Sequence, residues 1–239
     1  MLFQLLFTFM QEICKLFQCN WIFYTTVVKI VTKMLYGGNF AVTIRNWFKF
    51  FIMCLLIGGG TTATASLFIR WDFYKPFVMN GEIGEFLAAF VWMIVLGFTM
   101  SVIAQAGYFA YLTVHQVGIG VFKTLTLWNW VQTVIIIVVV VDLIIFLFRP
   151  NANSTGEWLF FIGLLIVLIG AAIWTGMQKV KMTGKKHILI SSIFFMIVVT
   201  SLEWIIALMG QDDNMNTYVA LILFPLIAVN AFQLLMLPK

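Results

Sequence analysis

The chain has 239 residues, of which 63% are apolar and only 10% are charged, and its formal net charge is +5. A soluble domain carries about a quarter charged residues, so a mean hydropathy of +1.05 excludes a soluble globular protein and requires lipid around much of the surface. No polar stretch is long enough to fold as a separate soluble module. The composition therefore predicts one integral membrane domain, for which we expect no nucleic-acid partner.

Residues 1–41 are apolar, but four charged residues divide them into pieces shorter than the roughly 20 residues that a transmembrane helix needs. No basic segment followed by a small-residue cleavage site indicates a signal peptide. One interpretation is an amphipathic helix that lies on the membrane surface. We prefer another, in which residues 1–41 are an untranslated leader and the native protein begins at Val42, because Gly37-Gly38-Asn39 can be encoded by a ribosome-binding sequence. Peptide mapping of the native protein would decide between them.

Six apolar segments follow. They lie at about 47–69, 86–111, 127–148, 158–177, 188–209 and 218–237. Each is long enough to cross about 30 Å of hydrocarbon as an α-helix, and none has the alternation of a barrel strand. The sequence therefore predicts an all-α fold over residues 42–239, a polytopic membrane helical bundle with about six transmembrane helices.

The first segment contains small residues at four-residue spacing, from Gly58 to Ser66. Such spacing lets another helix approach closely. Either this face packs inside the chain's own bundle, or the part that includes Gly59 and Gly60 contacts a partner membrane protein. The chain has three cysteines without CxxC spacing, so a zinc site is not expected, and Cys54 is interpreted as an apolar packing residue.

The connection between the second and third segments is the most distinctive stretch. We predict a loop, HQVGIGVFK, that holds His115, Gly120 and Lys123, between apolar segments that carry Gln105 and Gln132. These polar groups form either a hydrogen-bonded clamp between spans or a contact surface for a partner. Because no acid or cysteine lies near either histidine of the chain, we expect no metal site and no cofactor.

Two acidic residues lie inside predicted spans, Asp142 in the third and Glu203 in the fifth. Each is six residues from the outer end of its span, and this similar depth permits a shared proton or cation site. A structural or topological role for each acid is the other interpretation.

Lysine and arginine predict the orientation. With the N-terminus inside, eight basic residues fall on the inner side and three on the outer side, which favours cytoplasmic termini at both ends. The inner residues are Arg45, Lys49, Lys123, Lys179, Lys181, Lys185, Lys186 and Lys239, and the outer ones are Arg70, Lys75 and Arg149. The basic loop 179–187 is expected to contact anionic lipid. A docking patch for an acidic cytoplasmic partner is the alternative.

One stretch carries a resemblance to a known family. The run GFTMSVIAQAGYFAYLTVHQVGIGVFKTLTLWNWVQ, followed by VVVDLIIF and preceded by RNWFKFF, resembles the KbaA family, the KinB-signalling-pathway activation proteins of spore-forming Gram-positive bacteria. The resemblance covers about Val42 to Lys239. It implies a multi-pass regulatory protein of the bacterial cytoplasmic membrane that promotes the input of a membrane sensor histidine kinase to the sporulation phosphorelay. It supplies no active-site residues.

The function expected from these observations is activation of a sensor-kinase signalling pathway by contact with the kinase's membrane region. The alternative is a small polytopic transporter or channel that uses Asp142 and Glu203. We do not expect an enzyme, because the sequence contains no GxSxG, no HExxH and no intramembrane Glu-Glu pair.

Overall fold

A computed structural model describes residues 44–148, 154–208 and 215–236, and the two interpretations of residues 1–41 lie outside these ranges. The described ranges are helical and contain no strand. The α-helices are α1 (Ile44–Ile69), α2 (Trp71–Met79), α3 (Ile83–Phe122), α4 (Leu125–Asp142), α5 (Thr155–Thr183), α6 (Ile188–Phe194), α7 (Thr200–Leu208) and α8 (Met215–Met236). Two π-helical segments continue them: Leu143–Phe148 extends α4, and Phe195–Val199 joins α6 to α7.

Within the described ranges, six helices are long and apolar enough to cross a membrane, which confirms the predicted fold class. These spans are Asn46–Ile69, Ile83–Phe122, Leu125–Ile145, Thr155–Thr183, Ile188–Leu208 and Thr217–Met236. The fifth span is continuous through its π-helical segment, so α6 and α7 are parts of one crossing.

The second span is longer than predicted. Residues 115–122 of the predicted loop HQVGIGVFK are helical, and α3 reaches 40 residues. At about 1.5 Å per residue it is roughly 60 Å long, about twice the hydrocarbon thickness, so it must tilt or project from the bilayer. The prediction was wrong because Gly118 and Gly120 suggested a turn. Instead, α3 ends at Lys123, which takes a left-handed conformation with φ of 58° and donates its backbone N–H to Ile119.

Both ends of α5, the helix of the fourth span, are marked by residues that are visible in the sequence. Ser154 and Glu157 form a capping box at the N-terminus of α5, with hydrogen bonds of 3.1 and 3.3 Å. Gly184 ends the helix with φ of 70°, a left-handed conformation that glycine adopts without steric cost.

The chain divides into two compact units, residues 1–52 and 53–239. In the first, the rings of Trp47 and Phe51 lie 5.9 Å apart. In the second, the fifth and sixth spans form the centre, because 67% and 61% of their apolar windows are buried, against 39% or less for each other span. The core includes the π-helical residues Phe195 to Val198, packed against Tyr108 and Tyr111 of α3.

Candidate functional site

The small residues of α1 mostly face the chain's own α3. The Oγ of Ser101 donates to the carbonyl of Cys54 at 3.0 Å, and a Cβ on Gly58 would lie 2.8 Å from the carbonyl oxygen of Gly97. A Cβ on Gly59 would come within 2.5 Å of the Phe98 ring. The backbones of α1 and α3 therefore approach closely, and the face that contains Gly59 is occupied by the chain itself.

Gly60 has different surroundings. It is exposed, and no atom of the described residues lies within 4 Å of the position that a Cβ would take. Thr64, one turn further on, is also exposed and donates its hydroxyl to the carbonyl of Gly60 at 2.8 Å. Of the two glycines proposed for partner contact, Gly60 is the one whose surface is accessible from outside the bundle.

The junction between α3 and α4 is built around Trp128. Its indole Nε1 donates to His115 Nδ1 at 3.0 Å, and the ring lies against Gly118, where a Cβ would be only 2.5 Å away. His115 is therefore part of the packing between the second and third spans. Gly120 and Lys123 are exposed at the end of α3, where they are accessible to a partner.

The amides of the third span reach the fifth span. Gln132 is fully buried and accepts a hydrogen bond from Ser191 Oγ at 2.9 Å, while Asn129 Nδ2 donates to the carbonyl of His187 at 3.2 Å. Tyr111 of α3 donates its hydroxyl to the carbonyl of Ser191 at 3.2 Å. These hydrogen bonds between spans therefore all reach residues at or next to the start of α6. The Nε2 atom of Gln105 has no hydrogen-bond partner in the described chain, so it adds no hydrogen bond between these spans.

Glu203 lies at a junction of three spans. Its side chain is 4% exposed, and its Oε2 accepts a hydrogen bond of 2.6 Å from Nδ2 of Asn230 in the sixth span. The same nitrogen donates to Thr200 Oγ1 at 2.9 Å. Glu203 Oε1 lies directly against Gly107 of α3, in the space that a Cβ would fill. The carboxyl group thus links the fifth and sixth spans and sits beside the second.

Asp142 is the last residue of α4. It is buried, and neither carboxyl oxygen has a hydrogen-bond partner in the described chain. Among the described contacts of Glu203, none is with Asp142. The alternative of a transporter or channel that uses Asp142 and Glu203 stays a prediction. Arg149, one of the three predicted outer basic residues, lies outside the described residues.

Three contributors to the Glu203 site were not predicted from the sequence: Thr200, Asn230 and Gly107. Asn230 carried a usable signal, since an amide in the middle of a 22-residue apolar helix needs a hydrogen-bond partner. Gly107 carried none, because its role depends on which helix α3 packs against. Within the described residues, no group of three or more His, Cys, Asp or Glu side chains is placed to hold a metal ion.

The fold and these contacts define a class of protein: a polytopic helical membrane protein whose buried polar groups connect one span to another. Comparison with known proteins narrows the class. The model of the KbaA family, described as KinB-signalling pathway activation in sporulation, matches residues 58–239. The KinB-signaling pathway activation protein of Bacillus subtilis (strain 168) is 35% identical over 195 residues, which cover 82% of this chain and 96% of the relative.

The chain therefore belongs to the KbaA family. The membrane-spanning character and the family description agree with a protein of the KinB pathway. No solved structure shows a significant match to the chain.

Proposed function

We propose that this protein activates a membrane sensor histidine kinase by direct contact between its own spans and the membrane region of the kinase, without catalysing a reaction. Membership of a family of KinB-pathway activators supports the pathway. The observation that carries the contact is the accessible surface at Gly60 on α1, where a neighbouring helix can approach without displacing any side chain of the described chain.

Activation by contact requires a preference between states. A ligand that binds the active and inactive forms of the kinase equally well shifts no equilibrium, so the spans must bind the active form more tightly. A small-residue surface suits this task because close helix packing depends steeply on crossing geometry. Gly120 and Lys123 at the exposed end of α3 are the second surface that we propose for the kinase.

The test is the Gly60→Leu variant. A leucine side chain at this position fits into lipid and clashes with no described residue, so we expect normal abundance, but it blocks close approach of another helix and reduces kinase-dependent sporulation signalling at least several-fold. Gly170→Leu is the matched control, because Gly170 is also exposed, lies inside a spanning helix and has nothing within 4 Å of its Cβ position. Equal signalling from the two variants would contradict the proposal that the spans contact the kinase.

Gly59→Leu does not serve as a second test. Its side chain would overlap Phe98 of the same chain, so a loss of signalling would reflect damaged packing rather than a lost partner.

The predicted basic loop 179–187 contacts anionic lipid in this proposal, although its residues 179–183 form the end of α5 and only the remainder lies outside the helix. Lys181, Lys185 and Lys186 are exposed there, and clusters of basic residues beside a span bind the negatively charged cytoplasmic leaflet. With this loop inside, the protein is a multi-pass protein of the bacterial cytoplasmic membrane with both termini in the cytoplasm.

A further inference from the structure

An open groove of about 410 Å³ lies between the third and fifth spans, beside the basic loop. Its lining residues are Thr126, Asn129, Trp130, Thr133 and Ile190. Three of these side chains carry hydrogen-bonding groups and two are apolar over most of their surface. The volume falls in the range of about 300–1,000 Å³ that is typical of small-molecule sites.

The polar part of the groove is next to positive charge. Asn129 Nδ2 donates to the carbonyl of His187 at 3.2 Å, which fixes the end of the basic loop at the groove wall. Lys185 and Lys186, both exposed, directly precede His187. Thr126 lies in the first turn of α4, where the helix dipole favours an anion.

The apolar part has the character of a membrane interface. Trp130 is 67% exposed, and tryptophan is enriched where headgroups meet hydrocarbon. Ile190 lies on the opposite helix and continues the apolar surface. A molecule that fills this groove must therefore carry a negative, hydrogen-bonding end and an apolar end.

We infer that the groove binds one anionic glycerophospholipid, with its phosphate at the basic loop and the polar side chains Thr126, Asn129 and Thr133, and an acyl chain along Trp130 and Ile190. This inference rests on the proposed contact of loop 179–187 with anionic lipid and gives that contact a discrete site. A lipid bound there bridges α4 and α6 next to the buried hydrogen bond between Gln132 and Ser191.

The experiment measures lipid binding to the full chain. The purified protein is titrated with lipid in detergent, and the bound lipid is detected by native mass spectrometry. The probes are phosphatidylglycerol, phosphatidylcholine and, as a soluble headgroup, glycerol 3-phosphate. We expect phosphatidylglycerol to bind about tenfold more tightly than phosphatidylcholine. Both lipids carry the phosphate, but phosphatidylglycerol has a net negative charge, whereas the choline ammonium of phosphatidylcholine is repelled by Lys185 and Lys186.

The decisive variant is Thr126→Val with Thr133→Val, which removes two hydroxyls and changes neither charge nor side-chain volume. Neither residue is fully buried, and Thr133 Oγ1 otherwise bonds only within its own helix, to the carbonyl of Asn129. We expect the affinity for phosphatidylglycerol to fall about five- to tenfold, because the phosphate loses hydrogen bonds to the two hydroxyls. Thr64→Val with Thr99→Val is the matched control, because both hydroxyls are exposed and bond within their helices. If the double variant fails to fold, Thr126→Val alone is measured against Thr99→Val.

The outcomes separate the groove from the loop. Unchanged binding in the threonine variant, together with a loss in Lys185→Gln with Lys186→Gln, would overturn the groove and leave the loop contact in place. Unchanged binding in the threonine variant and in the lysine variant would overturn the groove and the loop contact together. The kinase-contact proposal would not be affected, because it is tested separately by Gly60→Leu. Displacement of the lipid by glycerol 3-phosphate at comparable concentration would show an anion site and contradict a lipid occupant.

Discussion

At the scale of single residues, the packing around Glu203 shows how one carboxyl group is accommodated among apolar helices. Burying a polar group without hydrogen bonds is costly, and Asn230 offsets part of that cost with a hydrogen bond of 2.6 Å. The second carboxyl oxygen has space only because residue 107 is a glycine. The absence of a side chain on α3 is therefore as necessary for the site as the amide on the sixth span.

Gly107→Ala is expected to destabilise the protein by about 1–3 kcal/mol, because the new Cβ overlaps Glu203 Oε1 and forces the carboxyl group or a helix to move. Thermal unfolding in detergent micelles would measure the change. Gly170→Ala is the control and should be neutral or slightly stabilising, since nothing lies near its Cβ position and alanine favours the helix. Equal stability of the two variants would show that the Glu203 site tolerates a methyl group.

The sequence identifies Glu203 as a residue of interest, because an acidic residue inside an apolar membrane segment is rare and costly to bury. The sequence does not identify Gly107, since a glycine can occur in a membrane helix for several different structural reasons. The same limit applies to Gly59 and Gly60. They are adjacent in sequence and look equivalent, yet one faces Phe98 and the other faces outward.

At the scale of elements, apolar length predicts that the spans exist but not where each one ends. The second span continues through Gly118 because that glycine allows Trp128 to pack against α3. This contact belongs to tertiary structure, which local turn signals do not report. The π-helical segment Phe195–Val199 is also invisible in the sequence, although it lies in the core directly before Thr200 and Glu203. Such segments shift the face that the following residues present.

At the scale of the whole molecule, the spans differ in how much of their apolar surface is buried. The fifth and sixth spans supply most of the core, whereas the first four expose most of their apolar windows. The predicted clamp residues Gln132 and His115 turn inward, and Gly60, Gly120 and Lys123 remain on the surface. The proposed contact with a membrane partner needs such an exposed surface.

The proposed orientation rests on the distribution of basic residues and can be measured directly. In a background without the natural cysteines, we expect Lys75→Cys to react with a membrane-impermeant maleimide in intact cells. Lys185→Cys should react only after the membrane is permeabilised, because the basic loop stays inside. Both positions are exposed, so burial would not explain a missing signal. The opposite pattern would invert the proposed topology.

The most direct test of the kinase-contact proposal is photocrosslinking in native membranes. A photoreactive amino acid replaces Gly60 in one strain and Gly170 in another, and mass spectrometry identifies what each captures. We predict a sensor histidine kinase in the adduct from position 60 and none from position 170. Only lipid or a second copy of the chain at both positions, at normal abundance, would contradict direct contact between this protein and the kinase.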